Sequence, residues 1–556
     1  MAAPHHPDDT RSPRAEQRRR VRRRDRRVRV RIALIALLVG AAVAALLVTV
    51  GAMLFAARPR PLGVTSVEDS GCMPMQIQSL DSWQLARVAR PPVSAPKKRI
   101  WEQALGSPEA AQAAIKQRLV GWPRALLADR AALPREPGAF ARQLATDTWR
   151  GLHALSDREH GLPLDTVRFA ATSVEPAQSH AADYTSTTNI GMRLIDVSAA
   201  LDLGLLDVDE ARDQIRVTLD TLDRLETDDG LFFNYYDTTS LERTSQFVSF
   251  VDSGWLAAGL MVVRMSFPEF YERCSALLAE MHFRTFYDPA ADLMSHGYFV
   301  DPRGPSRYHY GVLYTEARLA TLISIGMGEA PESVWFTMIR TFPSACSWQS
   351  LEPRGVREQS VLGHSFSAGY YEWHGLRYVP SWGGSMFEAL MPTLVVDEAA
   401  LAPHSLGRND RVHAVIQRRA AMRYLGLPVW GLSPSATPGS ERYGEYGVKE
   451  LGSLGYPPGP VTPHASALAL GQLPRGALAN LRRLAERYPV YGDFGFYDAV
   501  DPRTGEVAYT YLTLDQSMIL LALANHLGDH AVQRRFASDP IMQRVLPLLA
   551  AEHFFD

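Results

Sequence analysis

Cysteine is scarce in this chain. Only Cys72, Cys274 and Cys346 stand among its 556 residues. An odd count that low excludes a disulfide framework and leaves room for one bridge, whose pair the sequence does not choose. No Cys/His run has the spacing of a zinc site. No P-loop, HExxH or GxSxG motif occurs, so the usual marks of phosphate cradling, zinc proteolysis and serine hydrolysis are missing. Strand signals are few and do not alternate with helices, which argues against an α/β fold. The formal net charge is only −2, and hydrophobic residues make up 46% of the chain, as a folded globular body requires.

That small net charge hides an asymmetry. Residues 1–31 carry twelve Arg against Asp8, Asp9, Glu16 and Asp25, a net +8, so the remainder is −10. A basic tail on an acidic body argues against nucleic-acid binding by the body. Residues 32–57 contain no charged side chain. The run is long enough to span a bilayer with some tilt, and too long for a signal-peptide core. The arginines precede it, so the positive-inside rule places the N-terminus in the cytoplasm and the body outside. The expected order is an Arg-rich cytoplasmic tail (1–31), a transmembrane helix (32–57), a Pro-rich linker (58–95) and a folded domain (96–556). The expected location is the cytoplasmic, or inner, membrane, crossed once.

Through the body, apolar residues recur at helical spacing. Residues 100–122 and 139–155 read as helical runs. Residues 185–226 read as two helices joined near Gly204 and Asp207. An aromatic loop leads into a helix near Asp252, and another helix covers 270–281. Further helices are expected near 331–340, 384–395, 408–425, 462–470, 474–487, 515–527 and 529–551. Helical hairpins joined by long aromatic loops predict an all-α body, with an α/α toroid favoured, which periodicity alone does not separate from an irregular bundle. No repeat is visible, which argues against a solenoid.

Residues 307–328, RYHYGVLYTEARLATLISIGMG, concentrate the chemistry. Tyr308, Tyr310 and Tyr314 precede Glu316, and an apolar helical run follows through Leu319, Leu322 and Ile323. Thr315 reads as the N-cap, with Glu316 first in the helix. An acid among aromatics suits a carbohydrate cleft, because sugars stack on rings and glycosidic chemistry needs a carboxyl group. The plain alternative is a Glu that complements the helix dipole.

Several stretches resemble the glucoamylase-like domain of endo-β-1,2-glucanases and cyclic β-1,2-glucan synthases. They include TSTTNIGMRLIDVSAALDLGLL, NYYDTTSLE, VSFVDSGWLAAGL, LMSHGYFVD, YTEARLATLISIGMGEAPESVWF and SWGGSMFEALMPTLV. PVWGLSPSA, GFYDAVDP, LDQSMILLALANHL and QRRFASDPIMQ follow in the family's order, from about residue 150 onward. The resemblance implies an (α/α)6 toroid acting on a β-linked glucan, with no metal or organic cofactor. It implies Glu316 as general acid, with Asp498 or Asp515 as base, and Asp252 as a second carboxylate lining the cleft. Asp237 and Glu388 are further candidate cleft acids, and Tyr236, Tyr310, Tyr314, Trp382 and Trp430 candidate stacking partners. Each has a plain alternative: an N-cap for Asp252 and Asp515, a turn for Asp237 and Asp498, an internal pair for Glu388, and core packing for the aromatics.

Two departures matter. The synthases carry a Glu in a motif resembling SESAY, where this chain reads SPSAT with Pro434. They also carry a His pair near the last motif, where this chain has Leu514 and Asp515. The first favours inverting hydrolysis over cyclisation, and the second brings that end closer to the hydrolytic members. Residues 341–378, rich in Trp, Tyr and His, read as an insertion beside the cleft. The alternatives are a transglycosylase and a non-catalytic glycan-binding or cell-envelope protein on the same fold.

Overall fold

The computed structural model describes residues 105–555, apart from residues 345 and 347. The expected tail, membrane helix and linker, and Cys72 with them, lie outside the described residues. Among the described residues, no helix is long and apolar enough to cross a membrane. These residues fall in one compact unit. Cys274 is a free buried thiol and Cys346 is disulfide-bonded.

The helices begin where short polar side chains meet an apolar run. Helix α1 (Pro108–Arg118) starts on Ser107, whose hydroxyl accepts from the Ala110 N–H. Helix α2 (Pro137–Ala154) starts on Glu136, whose carboxylate accepts from Gly138 and Ala139. Helix α3 (Thr187–Asp202) is capped by Ser186 and α4 (Val208–Leu222) by Asp207. Ser249 caps α5 (Phe250–Ser266), and α6 (Tyr271–Glu280) follows it. Helix α7 spans Ala317–Met327, α8 Met386–Leu390 and α9 Leu406–Arg419. Helices α10 (Pro463–Leu468) and α11 (Pro474–Arg487) both open on proline, which loses no hydrogen bond at that position. Helix α12 spans Thr513–Leu527. The single helix expected over 529–551 is two, α13 (Ala531–Ser538) and α14 (Pro540–Ala551). Pro540 cannot continue α13, and Asp539 caps the new helix through the Ile541 N–H.

Six of these helices pack side by side in cyclic order: α3, α5, α7, α8, α10, α12 and back to α3. Each is backed by one outer helix: α4, α6, α14, α9, α11 and α2 respectively. The inner helices are apolar on nearly all sides because they are covered on all sides. Residues Thr187 to Ala200 of α3 are all buried, as are Phe250 to Arg264 of α5. Small residues set the closest crossing. A Cβ on Gly191 would lie 2.3 Å from the Trp255 carbonyl oxygen, and one on Gly259 would lie 2.5 Å from that of Gly191.

Buried ion pairs tie distant segments onto this ring. Arg264 binds Asp539 at 2.6 and 2.5 Å, and Arg340 binds Glu552 at 2.8 and 2.7 Å.

The segment expected as an insertion is a three-stranded antiparallel meander: β1 (Arg354–Val361), β2 (His364–Trp373) and β3 (Leu376–Tyr378). The all-α expectation is corrected here. Two-residue turns join the strands, Leu362–Gly363 and His374–Gly375, with positive φ at all four residues. That geometry matches the twist of paired strands, and glycine adopts it without a Cβ penalty. Shorter strand pairs occur in the loops, among them Tyr184–Ser186 with Tyr235–Asp237.

Candidate active site

The six inner helices point the same way, because their first turns meet. Thr188 of α3 donates to Asp252 of α5 at 2.5 Å. Gly254 of α5 packs on Ala320 of α7. His464 of α10 contacts Asp515 of α12, and Asp165 receives bonds from both Asn189 of α3 and the Thr513 N–H of α12. Each inner helix thus brings one polar side chain to its start: Asn189, Asp252, Glu316, Glu388, His464 and Asp515. Asn189, Asp252, Glu388 and Asp515 are each third in their helix. The positive ends of six helix dipoles favour carboxylates at this rim.

Glu316 occupies the cap position of α7 but makes no capping bond, and its Oε2 has no hydrogen-bond partner among the described residues. Burial, and then the negative charge of nearby Glu388, push it up to about 8. It therefore carries its proton at neutral pH. Thr315 is not the cap: its hydroxyl donates to the Val312 carbonyl at 3.0 Å, and the helix begins one residue later than expected.

Glu388 is tied down. It accepts from the Gly383 N–H at 2.9 Å, the Ser385 N–H at 3.1 Å and the Ser385 hydroxyl at 2.8 Å. With Ser385 it forms a capping box, so its main role is to start α8. Burial raises it all the same, against those bonds. Trp382 lies just before this turn, in an aromatic cluster with Phe342, Trp348 and Tyr456. Its ring is 5.6 Å from that of Trp348. A Cβ on Gly383 would strike the Tyr456 ring at 2.0 Å, so only glycine fits between them.

The second acidic group contains Asp498, Asp515 and His464. Asp498 and Asp515 lie close together, and burial followed by the charge of Asp515 holds Asp498 well above the usual range. Asp515 is pushed up to about 7 by burial, with Asp165 adding to the rise. His464 Nδ1 lies 2.9 Å from Asp515 Oδ2 and 2.7 Å from Thr462 Oγ1. Burial pushes His464 down to about 4, so it is neutral. Asp498 Oδ2 also accepts from the Ala436 N–H at 2.5 Å. Two carboxyl groups this close titrate as a pair and hold one proton between them over part of the pH range. His464, Asp498 and Asp515 each offer one ligand atom, mutually within 4.8 Å, the spacing at which a cation could also be held.

Asp165 and Asp252 extend this group. Asp165 accepts from Asn189 at 2.9 Å and Thr166 at 3.0 Å, and its surroundings push it up to about 6, chiefly by desolvation. Asp252 is buried and raised, again chiefly by desolvation, and its Oδ2 has no partner among the described residues. It is not an N-cap, since Ser249 fills that place and accepts from the Asp252 N–H. Asp515 is not one either: it is third in its helix, behind Leu512.

Sequence reasoning missed Asp165 and His464. Asp165 stands in a loop, LPLD, with no acid pattern around it, and His464 follows a helix-starting proline. Neither carries a local signal.

Four candidate binding residues have structural work instead. The Tyr236 hydroxyl donates to the Glu226 carbonyl at 2.6 Å and accepts from the Phe233 N–H. Asp237 accepts from the Thr239 and Ser240 N–H groups at 2.8 and 2.7 Å, closing its turn. Tyr314 is fully buried and donates to Asp410 at 2.6 Å. Trp430 is buried against α11, where Asn480 Nδ2 donates to its carbonyl at 2.7 Å. Tyr310 is buried too, its ring 4.1 Å from His296 and 6.0 Å from Phe250.

The cyclic β-(1,2)-glucan synthase NdvB of Rhizobium meliloti (strain 1021) is 25% identical over 558 aligned residues, which cover 73% of this chain but only 18% of the synthase's length. An endo-β-1,2-glucanase from Chitinophaga pinensis, solved with sophorotriose and glucose, superposes with a TM-score of 0.59 at 13% identity, over 75% of this chain and 99% of that one. A mutant endo-β-1,2-glucanase from Talaromyces funiculosus, solved with β-1,2-glucan, superposes with a TM-score of 0.57 at 10% identity, over 76% and 91%. Residues 359–540 match the family model Glycoamylase, described as "Putative glucoamylase"; the matched part holds Glu388, His464, Asp498 and Asp515 and leaves Glu316 outside. The chain therefore resembles the glucoamylase-like proteins in sequence over that stretch, and has the helix-rich fold of the endo-β-1,2-glucanases.

Proposed function

We propose that this protein is a glycoside hydrolase that cleaves a β-1,2-linked glucan by carboxylate acid/base catalysis with inversion. The carrying observation is a buried, protonated Glu316 on the same helix-start rim as the adjacent Asp498 and Asp515 carboxyls. The inner and outer helices are read as an (α/α)6 toroid, with the rim as the floor of its cleft. Glu316 gives its proton to the leaving glycosidic oxygen. Asp498 or Asp515, deprotonated, takes a proton from the water that attacks the anomeric carbon. Inversion requires acid and base to stand far enough apart for that water to sit between them. Asp252 and Trp382 would hold sugar rings, as hydroxyl acceptor and stacking surface. The β-1,2 linkage rests on the glucanases and the synthase that the chain resembles.

Incubating the protein with linear β-1,2-glucan and a panel of other α- and β-glucans tests the reading. Short reducing oligosaccharides of inverted anomeric configuration from β-1,2-glucan are expected. Products of retained configuration, or none from any glucan, would overturn it. The likeness to the synthase favours one second reading, transglycosylation, which the same experiment would report as cyclic or elongated products. Residues 32–57 would hold the body at the outer face of a cytoplasmic membrane, and release of the full chain from membranes by alkaline carbonate would refute that anchor.

The pH profile follows from the same groups. Activity needs the Asp pair to have lost a proton and Glu316 to have kept one. With Asp515 pushed up to about 7 and Glu316 to about 8, kcat/KM is expected to rise into that interval and fall above it. A plateau reaching down to pH 5 would exclude the Asp pair as base.

A further inference from the structure

We propose that a cavity on the outer side of the ring, between α9 and α11, binds a phosphate group. The cavity measures about 250 Å³ and is lined by Arg418, Met422, Trp430, Arg475, Gly476 and Arg483, among others. Its charge comes from helix periodicity. Arg475 and Arg483 lie eight residues apart on one face of α11; Arg418 lies in the last turn of α9, and Met422 four residues on, in the turn that extends it. Three guanidinium groups thus share one small space.

No acid compensates them. Among the described residues, no carboxylate pairs with Arg418, Arg475 or Arg483. The nearest acid on α11, Glu486, is held by Arg482 at 2.8 Å. Asp410 of α9 is buried and bonded to Tyr314. Arg483 donates only to the Pro428 carbonyl, at 3.3 Å. Three cations without a paired acid make a local positive field that attracts an anion, in a body whose overall charge is negative.

The shape of the cavity narrows the ligand. Guanidinium forks match the oxygens of a tetrahedral phosphate and can bind several of them at once. Helix α11 begins on Leu473 without a side-chain cap, so its first N–H groups and its dipole add to the positive field. A Cβ on Gly476 would lie 3.2 Å from Arg418 Nη1, so glycine leaves this guanidinium its place over the first turn. Trp430 and Met422 form an apolar wall beside the charges. A phosphate joined to an organic body, as a monoester or a diester, fits both parts better than a bare ion. The site is separate from the Glu316 and Asp498–Asp515 groups, so the proposal does not rest on the proposed hydrolysis.

The test uses the full chain in detergent and 31P line broadening of three probes: inorganic phosphate, glycerol 3-phosphate and glycerophosphoglycerol. The comparison protein carries Arg418→Gln, Arg475→Gln and Arg483→Gln together. All three side chains are exposed, and the basic tail is the same in both proteins. Broadening several-fold greater with the native chain for glycerol 3-phosphate alone supports a soluble monoester. The same excess for glycerophosphoglycerol supports a diester, as in a lipid headgroup. An excess confined to inorganic phosphate overturns the organic ligand, and equal broadening by both proteins overturns the site. Arg475→Glu alone, expected to abolish the excess, serves where the triple variant fails to fold.

Discussion

Replacing Glu316 by glutamine is expected to lower kcat on β-1,2-glucan by roughly 10²–10⁴-fold, the usual worth of a positioned general acid. The amide keeps the size of the side chain but has no proton to give. The change also has a stability signature. In the folded protein Glu316 is pushed up to about 8 by burial and by Glu388, against an ordinary value of 4.5. A group raised in this way gives its full stability below the ordinary value, and that stability is lost as pH rises through the folded value. The native protein should therefore weaken between about pH 4.5 and pH 8, and the Gln variant, which keeps only the other raised carboxyls, should weaken less. Above pH 8 the variant should be the more stable of the two, by an amount on the order of a few kcal/mol. Chemical denaturation at pH 5 and pH 9, beside steady-state kinetics, reads both effects. Near-native turnover with unchanged pH dependence of stability would remove Glu316 from the mechanism.

Arg318→Met is expected to cost about 3–5 kcal/mol at neutral pH, because it leaves buried acids without their cation. Arg318 is fully buried and meets Glu398 at 2.7 and 2.9 Å. It also donates to the carbonyls of Thr315 at 2.9 Å, Glu388 at 3.1 Å and Ala389 at 2.7 Å. Its guanidinium lies 4.8 Å from the centre of the Tyr314 ring. One side chain therefore clamps the residue before Glu316 to the end of α8. Asp410, also near, is already held well above the usual carboxylate range by burial and by Glu398. Without Arg318, Asp410 loses a nearby cation and must take up a proton to stay buried, which raises it further. The sign follows: the loss in Tm should be largest near pH 8 and partly recovered near pH 4–5, where protons are available. An equal loss at both would mean that volume, not charge, is what Arg318 supplies.

The inner helices were largely readable. Ser186, Ser249 and Ser385 each cap a run whose third residue is polar, a local pattern that places Asn189, Asp252 and Glu388 on one rim. The meander was not readable in the same way. Its turns, Leu362–Gly363 and His374–Gly375, put non-glycine residues at positive φ, so the usual Asn-Gly mark of a hairpin is missing. The aromatics misled for a related reason. Tyr236 and Tyr314 have a polar edge that suits a sugar, but the same edge serves the buried Glu226 carbonyl and the Asp410 carboxylate.

By itself the sequence determined the order of the helices, most of their starts, and the presence of an acid among aromatics at Glu316. These depend on spacings of three and four residues, which a chain carries locally. Only the tertiary structure decided which acids meet. His464, Asp498 and Asp515 come from three different segments, and Arg318 finds Glu398 eighty residues away. Whether a carboxyl keeps its proton depends on dehydration and on neighbouring charge, and both exist only once the ring of helices has closed around it.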